Sequence, residues 1–148
     1  SSAASDVYKR QLSAPLLIGC DMSDIDDFTL SLLTNNEVIA VNQDPLAAPA
    51  TKLLTDNGQI WYKKLYDGSY AVGFFQIDPY FILWDQDEAE TIQMKTYDFE
   101  LALKQLGITG KVSVRDLWRQ KDLGEYNGEF RTQVPYHGVS FVKITPVE

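Results

Sequence analysis

The sequence predicts a mainly β fold, an antiparallel β-sandwich or barrel-like sheet preceded by one strand–helix unit. Three observations carry this. The stretch "QIWYKKLYDGSYAVGFFQID" sets two β-type runs on either side of Asp67-Gly68, a dipeptide favoured in two-residue hairpin turns. Alternating runs then recur at short spacing in "KVSVRDLW", "GEFRTQVP" and "GVSFVKITP", and strands joined by turns build a sandwich or barrel-like sheet. Ahead of residue 51 the pattern is different: an apolar run, "PLLIG", leads directly into helical spacing.

The elements follow in order. Residues 1–11, "SSAASDVYKRQ", are small, polar and aperiodic. Residues 1–12 are therefore set apart as a disordered leader or an assembly scar. Residues 16–19 read as a short central strand. Ser23 offers an N-cap with Asp26 in capping-box position. Ile25, Phe28, Leu32 and Leu33 continue at helical spacing, which predicts an amphipathic helix over 23–33 packing back on the strand. Asn35 or Asn36 can cap a second short helix that reaches about Ala40, and Pro45 forbids its continuation. "LAAPAT" has no period and a second Pro, so it serves as a linker between a unit at 13–46 and a β-domain at 51–148. The segment "FELALKQLG" is ambiguous. Phe99, Ala102, Leu103 and Leu106 fit a helix ended by Gly107, while Phe99, Leu101 and Leu103 fit a strand.

A lone strand–helix unit cannot bury its strand on both faces, so the chain reads as the tail of something larger. Its 148 residues suffice for a real core. The net charge of −8 argues against nucleic acid or an anionic membrane as partner, since both need clustered Lys and Arg. No apolar run is long enough for a transmembrane helix, and the N-terminus lacks a signal-peptide pattern. The single cysteine, Cys20, forbids an internal disulfide and a Cys-based metal site; it reads as a small buried hydrophobe. His137, in "PYHG" between two strands, reads as a turn residue with no second His or Cys to make a metal site. The acidic run at 85–90, "DQDEAE", lacks the Gly of a calcium loop and reads as solvated. Trp118 reads as core or interface packing, and Trp61 and Trp84 as packing ahead of sugar stacking.

The blocks "APLLIGCDM", "TNNEVIAVNQDPL", "WYKKLYDGSYAVGFF", "VRDLWRQKDLG" and "VPYHGVSFVKITP" occur in one order over 13–146. Together they resemble the C-terminal portion of α-galactosidases of glycoside hydrolase family 27. The resemblance implies the last β/α unit of a truncated (β/α)8 barrel followed by the family's antiparallel β-domain, with Phe99 on a strand and a short helical turn near Gln105. Residues 78–90 depart from the family pattern. Barrel enzymes place their sites at the C-terminal ends of the strands, and by resemblance Asp21 and Met22 line the sugar pocket. Asp21 is then a supporting carboxylate and Met22 an apolar wall.

The same resemblance implies a retaining exo-α-galactosidase parent acting on terminal α-linked galactose, with no metal or organic cofactor. Neighbouring family activities, α-N-acetylgalactosaminidase and β-L-arabinopyranosidase, stay open. Retaining hydrolysis needs two carboxyl groups about 5–5.5 Å apart. The family takes them from earlier barrel strands, and neither motif occurs here. The only echo, "YKKLYD" at 62–67, belongs to the hairpin. No catalytic residue is assigned, and the chain alone is expected to be inactive. Alternatives are a non-catalytic carbohydrate-binding module and a structural clamp. The expected partners are α-galactoside substrates through the parent, the missing barrel segment, and further copies associating through an exposed apolar patch on residues 12–45. A parent in a secreted, periplasmic or lysosomal compartment fits equally well.

Overall fold

Alternation along the strands builds a two-layer sandwich. A computed structural model describes residues 18–19, 21–77 and 95–147. Among the described residues two short helices come first, α1 (Asp27–Leu33) and α2 (Asn36–Asn42). Eight strands follow: β1 (Thr51–Thr55), β2 (Gly58–Lys64), β3 (Tyr70–Phe75), β4 (Thr96–Ala102), β5 (Lys111–Asp116), β6 (Lys121–Asn127), β7 (Glu129–Pro135) and β8 (Val139–Pro146). Six strands form one antiparallel sheet in the order β1-β2-β3-β8-β5-β6, and β4 and β7 form a second.

Successive side chains of a strand point to opposite faces, so the large sheet feeds two cores. Ile60, Val72, Phe74, Val112, Val114, Val142 and Ile144 face the β4–β7 pair and meet Phe99, Leu101, Phe130 and Val134. Phe74 stands edge-on to Phe99 with ring centres 6.0 Å apart. The alternate residues Leu65, Ala71, Phe75 and Phe141 face the other way and pack on Val38 and Val41 of α2. The helix therefore covers the outer face of the large sheet, and its two buried residues sit three apart on one stripe.

The ambiguous segment at 99–107 resolves by combination. Residues 96–102 are β4, paired with β7 from Thr96↔Pro135 to Ala102↔Glu129. Leu103–Leu106 then forms a 3-10 turn that ends at Gly107 in the left-handed region, φ 75°. Strand pairing claims Phe99 and Leu101 and reaches Leu103, whose N–H donates to Gly128 O at 2.8 Å, and the helical period survives only beyond it.

Four expectations need correction. Residues 18 and 19 are not in a strand and both are exposed, so no strand buried on two faces is present at these positions; Leu16, Leu17 and Cys20 lie outside the described residues. The helix expected over 23–33 begins at Asp27, because Asp26 is its N-cap and accepts from the Thr29 N–H at 2.6 Å. Ser23 lies ahead of the helix, where its hydroxyl donates back to Asp21. Among the described residues that helix also covers no core: none of its residues is fully buried, Leu32 and Leu33 are half-buried, and Phe28 is 72 % exposed. Finally, the β2–β3 loop has three residues, not two. Gly68 N–H bonds to Leu65 O, Gly68 is left-handed at φ 84°, and Leu65 N–H closes on Ser69 O, the three-residue type with a glycine bulge.

β1 and β6 have no counterpart in the sequence reading. Thr51–Thr55 is mostly solvent-facing, and Lys121–Asn127 carries no apolar alternation. A bulge between Val114 and Arg115, where β6 has Gly124 at φ 105°, further breaks the period there. The tail at 1–12, the run at 85–90 and Trp84 lie outside the described residues.

Candidate functional site

Asp21 and Met22 lie on the short segment ahead of α1. The Asp21 carboxylate accepts from the Ser23 hydroxyl at 2.6 Å and from the Ser23 N–H at 2.9 Å. The Ser23 hydroxyl bond, then the backbone bond, hold its acid below the usual carboxylate range, against the small opposing effect of burial. The group is thus an oriented anion at the surface, with lone pairs left for hydroxyl donors. Met22 is 67 % exposed. Among the described residues no other side chain is hydrogen-bonded to Asp21 beyond Ser23, and the two residues lie on open surface rather than in an enclosed pocket.

A second cluster joins α2 to the large sheet. Asn35 caps α2 through its side-chain oxygen, which accepts from Glu37 N–H and Val38 N–H at 3.1 Å each. Its amide nitrogen donates to Leu117 O at 2.9 Å. Arg115 on β5 makes a two-pronged pair with Glu37, 2.8 Å from Nε and 2.7 Å from Nη2, and reaches Asp122 at 2.9 Å from Nη1. The hydrogen bonds to Glu37 first, then to Asp122, hold its proton more tightly than usual. The β5–β6 turn is pinned by the buried Asp116, which accepts from Arg119 N–H at 2.9 Å and Arg119 Nη1 at 2.8 Å. Gln120 adds a bond to Asn36 at 2.9 Å.

Trp118 packs against the α2 core, as its sequence context predicts, and its buried indole N–H has no hydrogen-bond acceptor among the described residues. Trp61 is partly buried and donates to Gln59 at 2.9 Å. His137 occupies the β7–β8 turn with φ 52°, its backbone N–H donating to Gln76 at 2.7 Å. Among the described residues no three His, Cys, Asp or Glu side chains gather as metal ligands, and no helix is long and apolar enough to cross a membrane. The Glu37–Arg115 pair was invisible in the sequence, because its partners lie 78 positions apart.

Comparison with known proteins gives this geometry a family. Residues 55–144 match the family model described as the alpha galactosidase C-terminal beta sandwich domain. A probable alpha-galactosidase of Dictyostelium discoideum is 36% identical over 140 residues, covering 91% of this chain and 33% of that protein. An alpha-galactosidase of Cyamopsis tetragonoloba is 34% identical over 134 residues, covering 90% of this chain and 29% of its own. Among solved structures, a family 27 β-L-arabinopyranosidase from Geobacillus stearothermophilus superposes with a TM-score of 0.80 at 26% identity, over 98% of this chain and 30% of that one. Alpha-galactosidase I from Mortierella vinacea gives 0.77 at 24% identity, over 94% and 34%, which speaks for the fold alone. The chain spans about a third of the length of these relatives. It belongs to the family of alpha-galactosidase C-terminal β-sandwich domains.

Proposed function

We propose that this chain is the C-terminal portion of a retaining exo-α-galactosidase. The whole enzyme removes terminal α-linked galactose through a covalent glycosyl-enzyme intermediate, using two carboxyl groups about 5–5.5 Å apart. In this reading both groups come from the preceding barrel, and the 148-residue chain is inactive alone. Its own contribution to the pocket is Asp21 and Met22. The Asp21 carboxylate, aimed by Ser23, accepts hydrogen bonds from pocket groups or sugar hydroxyls, and Met22 packs on a sugar face. The observation that carries the proposal is the 36% identity to a probable alpha-galactosidase over 91% of the chain.

The β-domain acts mainly as a clamp. The ties that Asn35, Glu37, Gln120 and Arg115 make between α2 and the large sheet support this reading. They fix α2 to the sandwich.

The test is enzymatic. The purified chain is expected to leave a chromogenic α-galactoside uncleaved. The protein encoded together with its upstream sequence is expected to cleave it, and Asp21→Ala in that longer protein is expected to raise KM more than it lowers kcat. Parallel assays with an α-N-acetylgalactosaminide and a β-L-arabinopyranoside assign the specificity. Turnover by the 148-residue chain itself, abolished by Asp21→Ala, would overturn the proposal.

A further inference from the structure

A groove of about 620 Å³ opens between the C-terminal end of α2 and the β2–β3 loop. Neither Asp21 nor Met22 lines it. Its floor is apolar, made by Val41, Leu65 and Leu117, all of them buried. On its rim stands Tyr66, 74 % exposed. Ligand sites are commonly concave, largely apolar and carry a few fixed polar groups, and this groove has all three features.

The polar groups are held before any ligand arrives. Asp44, next after the α2 C-cap residue Gln43, accepts from Tyr66 N–H through both oxygens, at 3.1 and 3.0 Å, and from Leu46 N–H at 3.1 Å. This fixes the backbone that presents the Tyr66 ring. On the sheet side Arg115 of β5 is locked to Glu37, and its cross-strand neighbour Lys143 of β8 is locked to Asp67 at 2.6 Å. Each pair keeps spare N–H donors and carboxylate lone pairs after these bonds, because a guanidinium has five donors, an ammonium three, and a carboxylate about four acceptor positions. Fixed groups of both kinds side by side suit hydroxyls, which donate and accept at once.

The charge balance narrows the ligand class. Three acids, Glu37, Asp44 and Asp67, line the groove with two cations, Arg115 and Lys143, and the buried Lys63 lies within electrostatic reach of Asp44. A phosphate, sulfate or carboxylate would have to break an existing pair and sit beside the displaced carboxylate. A neutral polyhydroxylated ring meets neither obstacle: its C–H face can lie on Tyr66 and the apolar floor, and its hydroxyls can reach the paired side chains.

We propose that this groove binds a neutral monosaccharide or the end of a neutral oligosaccharide, as an accessory site separate from Asp21 and Met22. The inference rests on the groove alone and holds whether or not the longer protein cleaves α-galactosides.

The experiment is a ¹H–¹⁵N NMR titration of the full chain with methyl α-galactoside, methyl β-galactoside and methyl α-glucoside, each separately. Saturable shifts at Gln43, Tyr66 and Asp67 with at least one of them are expected, with a Kd of about 1 mM for so open a site. Tyr66→Ala is expected to weaken binding about tenfold, as loss of an aromatic anchor does, while Tyr66→Phe keeps it. The Tyr66 side chain is exposed, so both variants are expected to keep the far-UV spectrum and unfolding midpoint of the parent. No saturable shift in the groove up to roughly 100 mM of all three sugars, shifts that persist unchanged in Tyr66→Ala, or equal shifts on adding inorganic phosphate would each overturn the proposal.

Discussion

The side-chain amide of Asn35 donates to the Leu117 carbonyl at 2.9 Å across 82 positions of sequence, while its oxygen caps α2. One buried side chain thus satisfies two orphan N–H groups of a helix and one carbonyl of a β-turn. Both tasks matter because a buried polar group without a partner costs about 1–3 kcal/mol. Asn35→Ala loses the cap, about 1 kcal/mol, and strands the Leu117 carbonyl. A total loss of about 2–3 kcal/mol is expected, read as a lower urea midpoint at unchanged slope. Asn35→Asp separates the two roles. It caps as well as Asn but has no N–H for Leu117, so it too is expected to fall below the parent. An Asp variant as stable as the parent would show that the link to Leu117 contributes nothing.

Two glycines that look equivalent in sequence are expected to differ sharply. Gly58 opens β2 at φ 146°, and a Cβ there would lie 2.1 Å from the Phe75 carbonyl oxygen. That contact is with backbone, so no side chain can swing away. Gly68 has φ 84° with nothing within 4 Å. Gly58→Ala combines a backbone conformation reserved for glycine with a clash, and is expected to cost on the order of 3 kcal/mol or more. Gly68→Ala is expected to cost about 1 kcal/mol, from conformation alone. Equal thermal shifts for the two variants would contradict this account.

These cases show where the sequence was readable. β7 alternates cleanly because one face of it is buried, while β3 and β8, which feed both cores, were legible as apolar β-type runs bounded by turn residues. A cap at Asn35 or Asn36 was legible because capping is local, and Asn35 is the one that fills it. Its bond to Leu117 was not, nor were β1 and β6: solvent-facing strands owe their existence to a neighbour's backbone, which leaves no apolar period. The segment at 23–33 failed for a related reason. Its apolar spacing is real, but spacing names a face without saying what covers it. Asp21 and Met22 were proposed from family likeness; their exposed positions carry no local signal beyond the turn that Ser23 closes.

Asp67 gives the hairpin loop a defined acid sensitivity. Burial pushes its carboxyl up, but the bonds from Lys143 and from the Ser69 hydroxyl and N–H, with the Lys143 charge, outweigh it and bring it to about 2. An unfolded Asp titrates near 3.9. Between about 4 and about 2 the unfolded chain binds the proton more readily, so stability rises with pH through this window and is lost as pH falls. The side chain is half exposed, at 53 %, and solvent screening keeps the effect below what the full shift implies. Asp67→Asn is expected to lower stability at pH 7 by under about 1 kcal/mol and to flatten the midpoint's dependence on pH between about 2 and 4. A variant whose acid limb matches the parent's would remove Asp67 from the explanation.

The two helices have equal lengths and unequal supports, which predicts opposite behaviour. α2 buries Val38 and Val41 completely or nearly so, at 0 and 2 % exposure, and is tied through Asn35 and Glu37. α1 buries none of its residues and leaves Phe28 and Leu30 72 and 47 % exposed. A seven-residue helix is not stable on its own capping, so the α1 amides are expected to exchange with solvent far faster than those of α2, by local opening. Phe28→Ser is expected to change global stability by no more than about 0.5 kcal/mol, as for other surface positions. It is also expected to reduce concentration-dependent light scattering, since Phe28, Leu30 and Met22 together offer apolar surface to another copy. Slow exchange in α1 matched by a monodisperse monomer at every concentration would mean that this face is covered, and that the description of α1 as unsupported is wrong.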